Sequence, residues 1–485
     1  MKRSVNIVIS VTKLNQLDVL STITDSIGLI EVRADLIPNS ECVKKYTSTP
    51  LVYILRSKSE GGNYTGSPTD RAQQLINASD FFDFVELEGE RDLTPEILNS
   101  IPKEKRRISW YGPSESFENI KNRTEKYMQV PASCYKLIVN AQSSADAIPV
   151  VRLLDTIKNK SLVAYAIGSD TAWTQISAPF MGAPEIHANL DPEDKNTPSF
   201  SASLLMDDYG LPFVYSVSHF FGIIGNQVFG SVSPERHNAA YRSLNLPYLY
   251  LPFQTEHFSS FFQEVINNQE LPIPVSGLTV VSPFKTEAYE TASIDLKNTN
   301  SIVKACNGLL RKENGWSRYS SDAKGSIEAL NGIAANWQEK NIAIIGCGGA
   351  GSSIAEKMKS LNITPTLVNR TISKGKMLAM TLDLPFVSLS DFSPGKYDVI
   401  IHCTPIGKTD KKVPFDVSKM KRECVVIDHV YTQQSNTPLV KYCRLLGMHV
   451  IDGVQMADIQ IKQQFLSMLK IPMPAGKIIE QVKTS

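Results

Sequence analysis

A glycine-rich turn between an apolar run and an amphipathic segment is the strongest chemical signal in the sequence. Its glycines are Gly346, Gly348, Gly349 and Gly351, and they follow the apolar run 342–345. Glycines let a backbone approach a pyrophosphate closely, and the phosphate charge then lies at the N-terminus of the following helix. This arrangement predicts a dinucleotide-binding site.

The end of the next predicted strand indicates which dinucleotide binds. NAD-selective sites usually carry an acidic residue there, about 20 residues beyond the turn, to hold the ribose hydroxyls. This sequence has Asn369, Arg370 and Thr371 at that place, with Lys374 nearby. The positive charge suits a 2′-phosphate, so we expect NADP as the cofactor. A glycine-rich turn in some other α/β domain is the alternative.

Further motifs occur in a fixed order through the second half of the chain. They are SVSP with HN at 231–238, GLTVVSPFK at 277–285, KACN at 304–307, SSDAKG at 320–325, and GVQM with a glutamine at 453–460. Together they resemble the shikimate dehydrogenase family over nearly all of this half. The resemblance implies NADPH-dependent reduction of 3-dehydroshikimate to shikimate.

The resemblance also assigns roles to individual residues. Reducing a ketone leaves a developing alkoxide that needs a proton. Lys285 is the candidate proton donor, and Asp322 would hydrogen-bond both the lysine and a substrate hydroxyl. The other implied substrate contacts are Ser231 and Ser233, which would hold a carboxylate, and Asn307 and Gln460.

Some positions depart from the family pattern. Thr279 and Val281 replace the usual Asn and Thr of one motif, and His402 replaces the Asn of the N-x-T-P-x-G loop. Val281 cannot donate a side-chain hydrogen bond. The choice between shikimate and quinate therefore stays open, whereas the type of reaction does not change.

The first two hundred residues alternate β-rich runs with stretches of helical length, which predicts a (β/α)8 barrel. The predicted strands are Val5–Ser10, Leu29–Arg33, Leu51–Leu55, Phe84–Glu88, Arg107–Trp110, Tyr135–Asn140, Leu162–Ile167 and Pro184–Leu190. Several of them end in polar residues, and the C-terminal ends of barrel strands carry the chemistry in this fold.

The polar residues of this half resemble type I 3-dehydroquinate dehydratase. Glu31 and Arg33 match its E-x-R-x-D strand, Arg56 and Glu60 match its R-x-x-x-E-G-G segment, and Lys136 stands at the Schiff-base lysine. The resemblance implies that the lysine condenses with the substrate ketone and that water is then eliminated. We expect burial and the neighbouring Arg56 to favour the neutral, nucleophilic amine of Lys136.

Three departures affect this mechanism. The family's fifth-strand histidine is Tyr111 here, its seventh-strand arginine is Gln175, and its A-P-G-Q loop reads Thr197–Phe200. His187 is the first histidine in the chain and lies in the predicted eighth strand. Our hypothesis is that His187 has taken over proton transfer, with Tyr111 as a hydrogen-bonding partner. A structural core histidine is the alternative.

The bulk composition indicates a globular protein with several domains. The chain has 485 residues, a hydrophobic fraction of 42%, a charged fraction of 20% and a formal net charge of +1. These values suggest no nucleic-acid partner, no membrane association and no obligatory protein partner. No signal peptide is evident, and the seven cysteines lack paired spacing. We therefore expect a reduced cytoplasmic protein without a metal site.

The sequence as a whole predicts a bifunctional shikimate-pathway enzyme of the α/β class. We expect a dehydratase-like barrel over 1–210, a substrate-binding lobe over 211–325, a Rossmann-type NADP-binding domain over 326–450, and a C-terminal helical segment over 451–485 that packs back on the substrate lobe. The alternatives are a shikimate or quinate dehydrogenase with a degenerate barrel, and a non-enzymatic NADP sensor.

Overall fold

The computed structural model describes residues 3–20, 26–168, 170–190, 200–292, 294, 303–430 and 436–474. Contacts divide the chain into two compact units. The first unit extends to Gly222 and includes Gln227–Val275. The second comprises Ile223–Asn226 and Ser276–Ala475.

The first unit is dominated by parallel strands of short, apolar sequence. After β1 (Arg3–Ser4), these strands are β2 (Asn6–Val11), β3 (Ile27–Arg33), β4 (Leu51–Ile54), β5 (Phe84–Glu88), β6 (Arg106–Pro113), β7 (Cys134–Asn140), β8 (Leu162–Ile167) and β9 (Glu185–Ala188). Within the described residues they form one sheet in the order β8-β7-β6-β5-β4-β3-β2-β9. Because β9 pairs with β2 in parallel, the sheet curves into a nearly closed eight-stranded barrel.

Helices follow the barrel strands in chain order. They are α1 (Leu17–Leu20), α2 (Pro68–Phe81), α3 (Pro95–Ser100), α4 (Phe117–Met128), α5 (Ala147–Ile157), α6 (Ala172–Ser177) and α7 (Ala202–Tyr209). Ser67, Thr94, Ser116 and Ser201 each accept a backbone N–H from the first turn of the following helix. Such caps satisfy donors that the helix itself cannot pair, so they mark where α2, α3, α4 and α7 begin.

A second, smaller sheet follows the barrel. Its elements are β10 (Phe213–Val214), β11 (His219–Gly225), α8 (Ser233–Ser243), β12 (Tyr248–Gln254), α9 (Phe258–Phe261), β13 (Val275–Val280), α10 (Lys285–Thr291), β14 (Gly308–Lys312) and β15 (Gly315–Tyr319). The described sheet has the order β12-β11-β13-β14-β15, whereas β10 pairs with β1. The boundary between the two compact units falls within β11.

The remaining elements of the second unit form a doubly wound domain. They are α11 (Ser321–Ile333), β16 (Ile342–Ile345), α12 (Gly349–Ser360), β17 (Thr366–Asn369), α13 (Ile372–Leu382), β18 (Phe386–Ser388), β19 (Val399–His402), β20 (Val425–Asp428), α14 (Pro438–Leu445), β21 (Val450–Ile451) and α15 (Gly453–Leu469). The described strands form a parallel sheet in the order β18-β17-β16-β19-β20-β21. The order reverses between β16 and β19, where such sheets bind ligands.

The eight predicted barrel strands are all confirmed. The largest difference is in β6, which continues to Pro113 because Tyr111–Pro113 keep pairing with Ile138–Asn140 of β7. The predicted C-terminal helix is present as α15, and it packs on α11. The division into four domains stays a prediction.

Two further observations concern expectations about the chain as a whole. In the described residues no helix is long and apolar enough to cross a membrane. The described residues also contain no cluster of side chains suited to a metal ion, and all seven cysteines are free thiols. The cytoplasmic location stays a prediction.

Candidate active sites

Charged side chains meet in the interior of the barrel, where we define the barrel site as Glu31, Glu86, Lys136 and His187. They lie on β3, β5, β7 and β9, which are not neighbours in the sheet, so they meet across the barrel. Lys136 Nζ lies 2.6 Å from Glu31 Oε1 and also contacts Glu86 Oε2. The Lys136 side chain is only 1% exposed. The alternation of side chains along each strand directs these residues to the same face.

The charge state of Lys136 differs from our expectation. Burial opposes charge on this amine, but the Glu31 and Glu86 carboxylates raise its pKa well above the usual value. Burial also disfavours charge on Glu31, yet Lys136 and His187 hold the pKa of that carboxyl well below normal. The prediction of a neutral resting amine is therefore wrong, because the sequence argument considered Arg56 and omitted the two carboxylates.

His187 is directly connected to this ion pair. Its Nε2 lies 3.0 Å from the same Glu31 Oε1 that accepts from Lys136. Its Nδ1 is buried without a hydrogen-bond partner. The backbone carbonyl of His187 accepts a 2.6 Å hydrogen bond from Gln175 Nε2. Gln175, which replaces the family's arginine, therefore holds the strand that carries His187.

Tyr111 organises the residues at the C-terminal ends of the barrel strands. The Arg56 guanidinium lies 3.8 Å from the centre of the Tyr111 ring, and Lys136 Nζ lies 5.5 Å from it. Glu60 Oε2 accepts the Tyr111 backbone N–H at 3.1 Å. Burial, together with the Glu88 and Glu86 carboxylates, raises the pKa of Glu60 to about 9. Glu60 therefore stays protonated near neutral pH.

Arg33, another predicted residue of the barrel, is paired with a carboxylate close to it in sequence. Its Nε and Nη2 each donate to Asp35 at 2.8 Å, and Asp35 Oδ2 also accepts the Asn63 backbone N–H at 3.0 Å. A guanidinium with two of its donors engaged in this way is oriented by the protein before any ligand arrives.

A lysine and a carboxylate also meet in the second unit, as the resemblance implied. We call Lys285 and Asp322 the reductase pair. Lys285 Nζ donates to Asp322 Oδ2, with the lysine side chain 15% exposed and the aspartate 6%. Lys285 begins α10 and Asp322 lies in the first turn of α11. The amine is thus held by one carboxylate and remains accessible from solvent.

Two amide side chains bind the Asp322 carboxylate oxygen that Lys285 does not contact. Asn307 Nδ2 donates to Asp322 Oδ1 at 2.8 Å, and Gln460 Nε2 donates to the same atom at 3.0 Å. Asn307 also accepts the Ser321 backbone N–H through Oδ1 at 2.7 Å. Since Asn307 and Gln460 come from different parts of the chain, Asp322 is fixed from two sides.

The glycine turn of residues 346–351, which we call the coenzyme turn, lies beside this pair. A Cβ built on Gly349 would lie 3.0 Å from Cδ of Lys285, and one on Gly351 would lie 1.9 Å from the carbonyl oxygen of Gly346. A Cβ on Gly348 would meet nothing within 4 Å. The turn therefore has no room for a side chain at Gly351, whereas it is open at Gly348, at the N-terminus of α12. This combination fits a dinucleotide pyrophosphate.

The polar residues after β17 flank the coenzyme turn. Asn369 Oδ1 accepts the Cys347 backbone N–H at 3.1 Å, and Asn369 Nδ2 donates to the Thr371 carbonyl at 2.9 Å. Asn369 therefore ties the turn to the end of β17. Arg370, Thr371 and Lys374 are exposed beyond it.

Ser231 and Ser233 belong to the first compact unit, unlike the reductase pair. Ser231 Oγ accepts the Ser233 backbone N–H at 3.2 Å, and Ser233 begins α8. That these hydroxyls bind the same substrate as the reductase pair stays a prediction.

Comparison with known proteins matches both halves. The type I 3-dehydroquinase family matches residues 7–212, and the shikimate dehydrogenase substrate-binding domain matches residues 223–309. A shikimate dehydrogenase (NADP(+)) of Pyrococcus abyssi is 31% identical over 251 residues, which cover 50% of this chain and 90% of that protein. This chain belongs to the shikimate dehydrogenase family.

Longer relatives are similar to this chain over the barrel as well as the second half. The bifunctional 3-dehydroquinate dehydratase/shikimate dehydrogenase of Arabidopsis thaliana, described as chloroplastic, is 24% identical over 92% of this chain and 78% of that protein. The pentafunctional AROM polypeptide of Yarrowia lipolytica is 24% identical over 94% of this chain. The chain spans only 24% and 31% of two such AROM polypeptides.

Two residues at these sites were not predicted from the sequence. Glu86 was overlooked, although a carboxylate in the middle of the apolar strand Phe84–Glu88 is a signal that could have found it. His429 follows β20, and its Nε2 lies 3.0 Å from Ser326 Oγ. Burial lowers the pKa of His429 to about 4, with Lys285 and Asp322 acting on it in opposite directions. His429 is therefore a neutral ring beside the reductase pair.

Proposed function

We propose that the chain is a bifunctional enzyme of the shikimate pathway. Its barrel dehydrates 3-dehydroquinate through Lys136, and its second half reduces the product, 3-dehydroshikimate, to shikimate with NADPH. The observation that carries the proposal is the contact of the Lys285 amine with Asp322, beside the coenzyme turn. The buried lysine of the barrel supports the dehydratase half.

In the barrel, Lys136 attacks the substrate ketone after losing a proton. Glu31 and Glu86 contact its amine, so either carboxylate can receive that proton. Condensation releases one water and leaves an imine that acidifies the neighbouring carbon. Elimination of the substrate hydroxyl releases a second water, and hydrolysis of the imine returns the lysine. The two carboxylates also stabilise the positive charge of the protonated imine.

His187 serves the proton transfers of this cycle. It shares Glu31 Oε1 with Lys136, so a proton can pass between amine and imidazole through a single oxygen. Its free Nδ1 gives the ring a second position for exchanging a proton. Arg56, with its Nε unpartnered, supplies positive charge for the substrate carboxylate, and Arg33, which Asp35 holds in place, supplies N–H donors for the substrate hydroxyls.

Replacing His187 by alanine should lower dehydratase turnover by about 100-fold, the usual loss for a general acid–base group. Trapping of the substrate imine by borohydride should persist, because Lys136 and its carboxylates remain. Turnover, its pH profile and mass-spectrometric labelling are the measurements. Far-ultraviolet circular dichroism controls for folding of the barrel, and reduction of 3-dehydroshikimate by the same preparation checks the second unit. Unimpaired turnover of the variant would show that His187 is only a core residue.

In the second half, NADPH when bound supplies the two-electron reduction of the ketone. Lys285 donates a proton to the developing alkoxide oxygen, and Asp322 holds the amine in position. Asn307 and Gln460 keep the Asp322 carboxylate oriented by occupying its other oxygen. Ser231 and Ser233 are the proposed partners of the substrate carboxylate. The glycines of the coenzyme turn would receive the pyrophosphate, and Arg370, Thr371 and Lys374 would be available to the 2′-phosphate.

Replacing Arg370 and Lys374 together by alanine should weaken NADP⁺ binding by at least about 100-fold, since each charge-assisted hydrogen bond to the 2′-phosphate contributes about 1.5–3 kcal/mol. Binding of NAD⁺, which lacks the 2′-phosphate, should change less than about twofold. The double variant with alanine at the exposed Lys357 and Lys376 removes the same charge as a control. Calorimetry measures both ligands. Equal weakening of NADP⁺ binding in this control variant would mean that the total positive charge of the domain, and not Arg370 and Lys374 in particular, determines affinity.

A reductase with an inactive barrel is the second candidate. The replacement of the family's histidine by Tyr111, and the engagement of Gln175 with a backbone carbonyl, favour it. A single coupled assay separates the two candidates. Given 3-dehydroquinate and NADPH, a bifunctional chain consumes NADPH, whereas an inactive barrel allows consumption only when 3-dehydroshikimate is supplied. An NADP sensor would consume none in either case.

A further inference from the structure

A histidine at the end of β20 is connected to the helix that carries Asp322. His429 follows β20 directly, and its backbone N–H donates to the carbonyl of His402, the last residue of β19, at 2.9 Å. The His429 side chain is half-buried, and its Nε2 lies 3.0 Å from Ser326 Oγ of α11. The imidazole therefore joins the carboxyl end of β20 to α11, which packs against that strand.

Ser326 links this imidazole to Asp322. The Ser326 hydroxyl donates to the Asp322 backbone carbonyl at 2.9 Å, one helical turn earlier in α11. A carbonyl oxygen only accepts, so the single hydrogen of the hydroxyl is used within the helix. The Ser326 oxygen must then accept from His429, which requires a hydrogen on Nε2. The neutral Nε2–H tautomer and the cation both carry that hydrogen, so the link does not depend on the charge of the ring.

The contacts of the Asp322 carboxylate come from outside the doubly wound sheet. Lys285 contacts one of its oxygens, and Asn307 and Gln460 bind the other. These three residues orient the carboxylate, but none of them lies on a strand of that sheet. The link from His429 has a different effect, because β20 is an interior strand of the sheet and α11 carries Asp322. It ties the backbone of the reductase pair to the sheet itself.

We propose that His429 is a positioning residue of the reductase, which acts through Ser326 to hold the first turn of α11, and with it Asp322, against the carboxyl ends of the sheet strands. The inference deepens the proposed function and rests on it. Ligands of doubly wound sheets bind outside those strand ends. A displacement of about 1 Å at a reacting centre can slow a reaction by about 100-fold. Loss of the link should therefore lower kcat more than it changes the affinity for either substrate.

Two amide substitutions of His429 test the link. The amide nitrogen of glutamine lies as many bonds from the backbone as Nε2, so His429→Gln can still donate to Ser326, whereas that of asparagine matches Nδ1 and falls short. We expect His429→Asn to lower kcat for 3-dehydroshikimate reduction by about 10- to 100-fold, with KM and NADP⁺ affinity changed less than about twofold. His429→Gln should recover most of the rate. His449→Ala removes an exposed histidine and should change nothing.

Ser326→Ala tests whether the effect passes through the serine. Alanine is the strongest helix former, so the variant should fold. We expect it to lower kcat as His429→Asn does, and the double variant to be no slower than either single one, because both changes break the same link. A normal kcat in Ser326→Ala or in His429→Asn would overturn the proposal. Additive losses would overturn it as well, since His429 would then act by a route that does not include Ser326.

The ring nitrogens of His429 give a measurement that does not depend on the reaction. In protein labelled with ¹⁵N-histidine, nuclear magnetic resonance should show the hydrogen of the His429 ring on Nε2, and the signal lost in His429→Gln identifies it. A hydrogen on Nδ1 alone would overturn this proposal, because Ser326 could not then accept from the ring. The expected signal in a protein that does not reduce 3-dehydroshikimate would instead refute the proposed function.

Discussion

Replacing Lys136 by methionine is expected to abolish dehydration of 3-dehydroquinate, with a loss of at least about 1000-fold, because no other residue can form the imine. Borohydride added with 3-dehydroquinate should label the unaltered chain covalently and leave the variant unlabelled. Mass spectrometry of the intact protein and of its peptides measures the label and its position. Labelling elsewhere in the variant would contradict the assignment.

A second variant separates covalent chemistry from charge. Removing Lys136 leaves Glu31 and Glu86 buried without their cation, which can cost about 3–5 kcal/mol of stability. Lys136→Arg keeps a cation between the carboxylates, but a guanidinium stays protonated and forms no imine. Both variants should be inactive as dehydratases, and the arginine variant should unfold at the higher temperature. Circular dichroism reports whether the barrel of each preparation is folded, and reduction of 3-dehydroshikimate checks the second unit.

Lys285→Met is expected to lower the rate of 3-dehydroshikimate reduction by about 100- to 10,000-fold, the contribution of a positioned general acid. We expect this loss because the Lys285 amine contacts Asp322 and its side chain lies beside the coenzyme turn. NADP⁺ affinity should change little, since the turn itself is intact. Stopped-flow measurement of NADPH oxidation and calorimetry of NADP⁺ binding give the two quantities.

Lys285→Arg serves as the matched variant for the same site. It preserves the positive charge opposite Asp322 but releases its proton far less readily. Comparable losses in the methionine and arginine variants would identify proton donation as the role of Lys285. Recovery by arginine would assign it to electrostatic stabilisation instead. Lys324→Ala removes an exposed lysine from α11 and should leave the rate unchanged.

The sequence predicted the architecture well because its signals are local. Strands such as Leu162–Ile167 are short apolar runs between polar segments, and the coenzyme turn requires glycines at fixed spacing. The contact of Lys285 with Asp322 was expected from the order of motifs. The order of motifs did not predict that Asn307 and Gln460 would both donate to the same oxygen of Asp322.

The charge state of Lys136 was not predictable in the same way. It depends on Glu86, which lies 50 positions earlier and meets the lysine only across the closed barrel. Similarly, Gln175 looked like a lost substrate clamp, yet it binds the His187 carbonyl. Such contacts arise from the curvature of a sheet and the register of distant strands, which no short motif records.

The position of α15 has a consequence for preparing the protein. Gly325 of α11 has Cγ of Gln460 only 3.1 Å from where its Cβ would be, so α15 fits closely against the helix that carries Asp322. A chain that ends before Gly453 would retain the barrel and the coenzyme turn. Proteolytic loss of α15 removes Gln460 from Asp322 and Met456 from the buried core that also contains Ile344, so the product should be less stable and slower as a reductase.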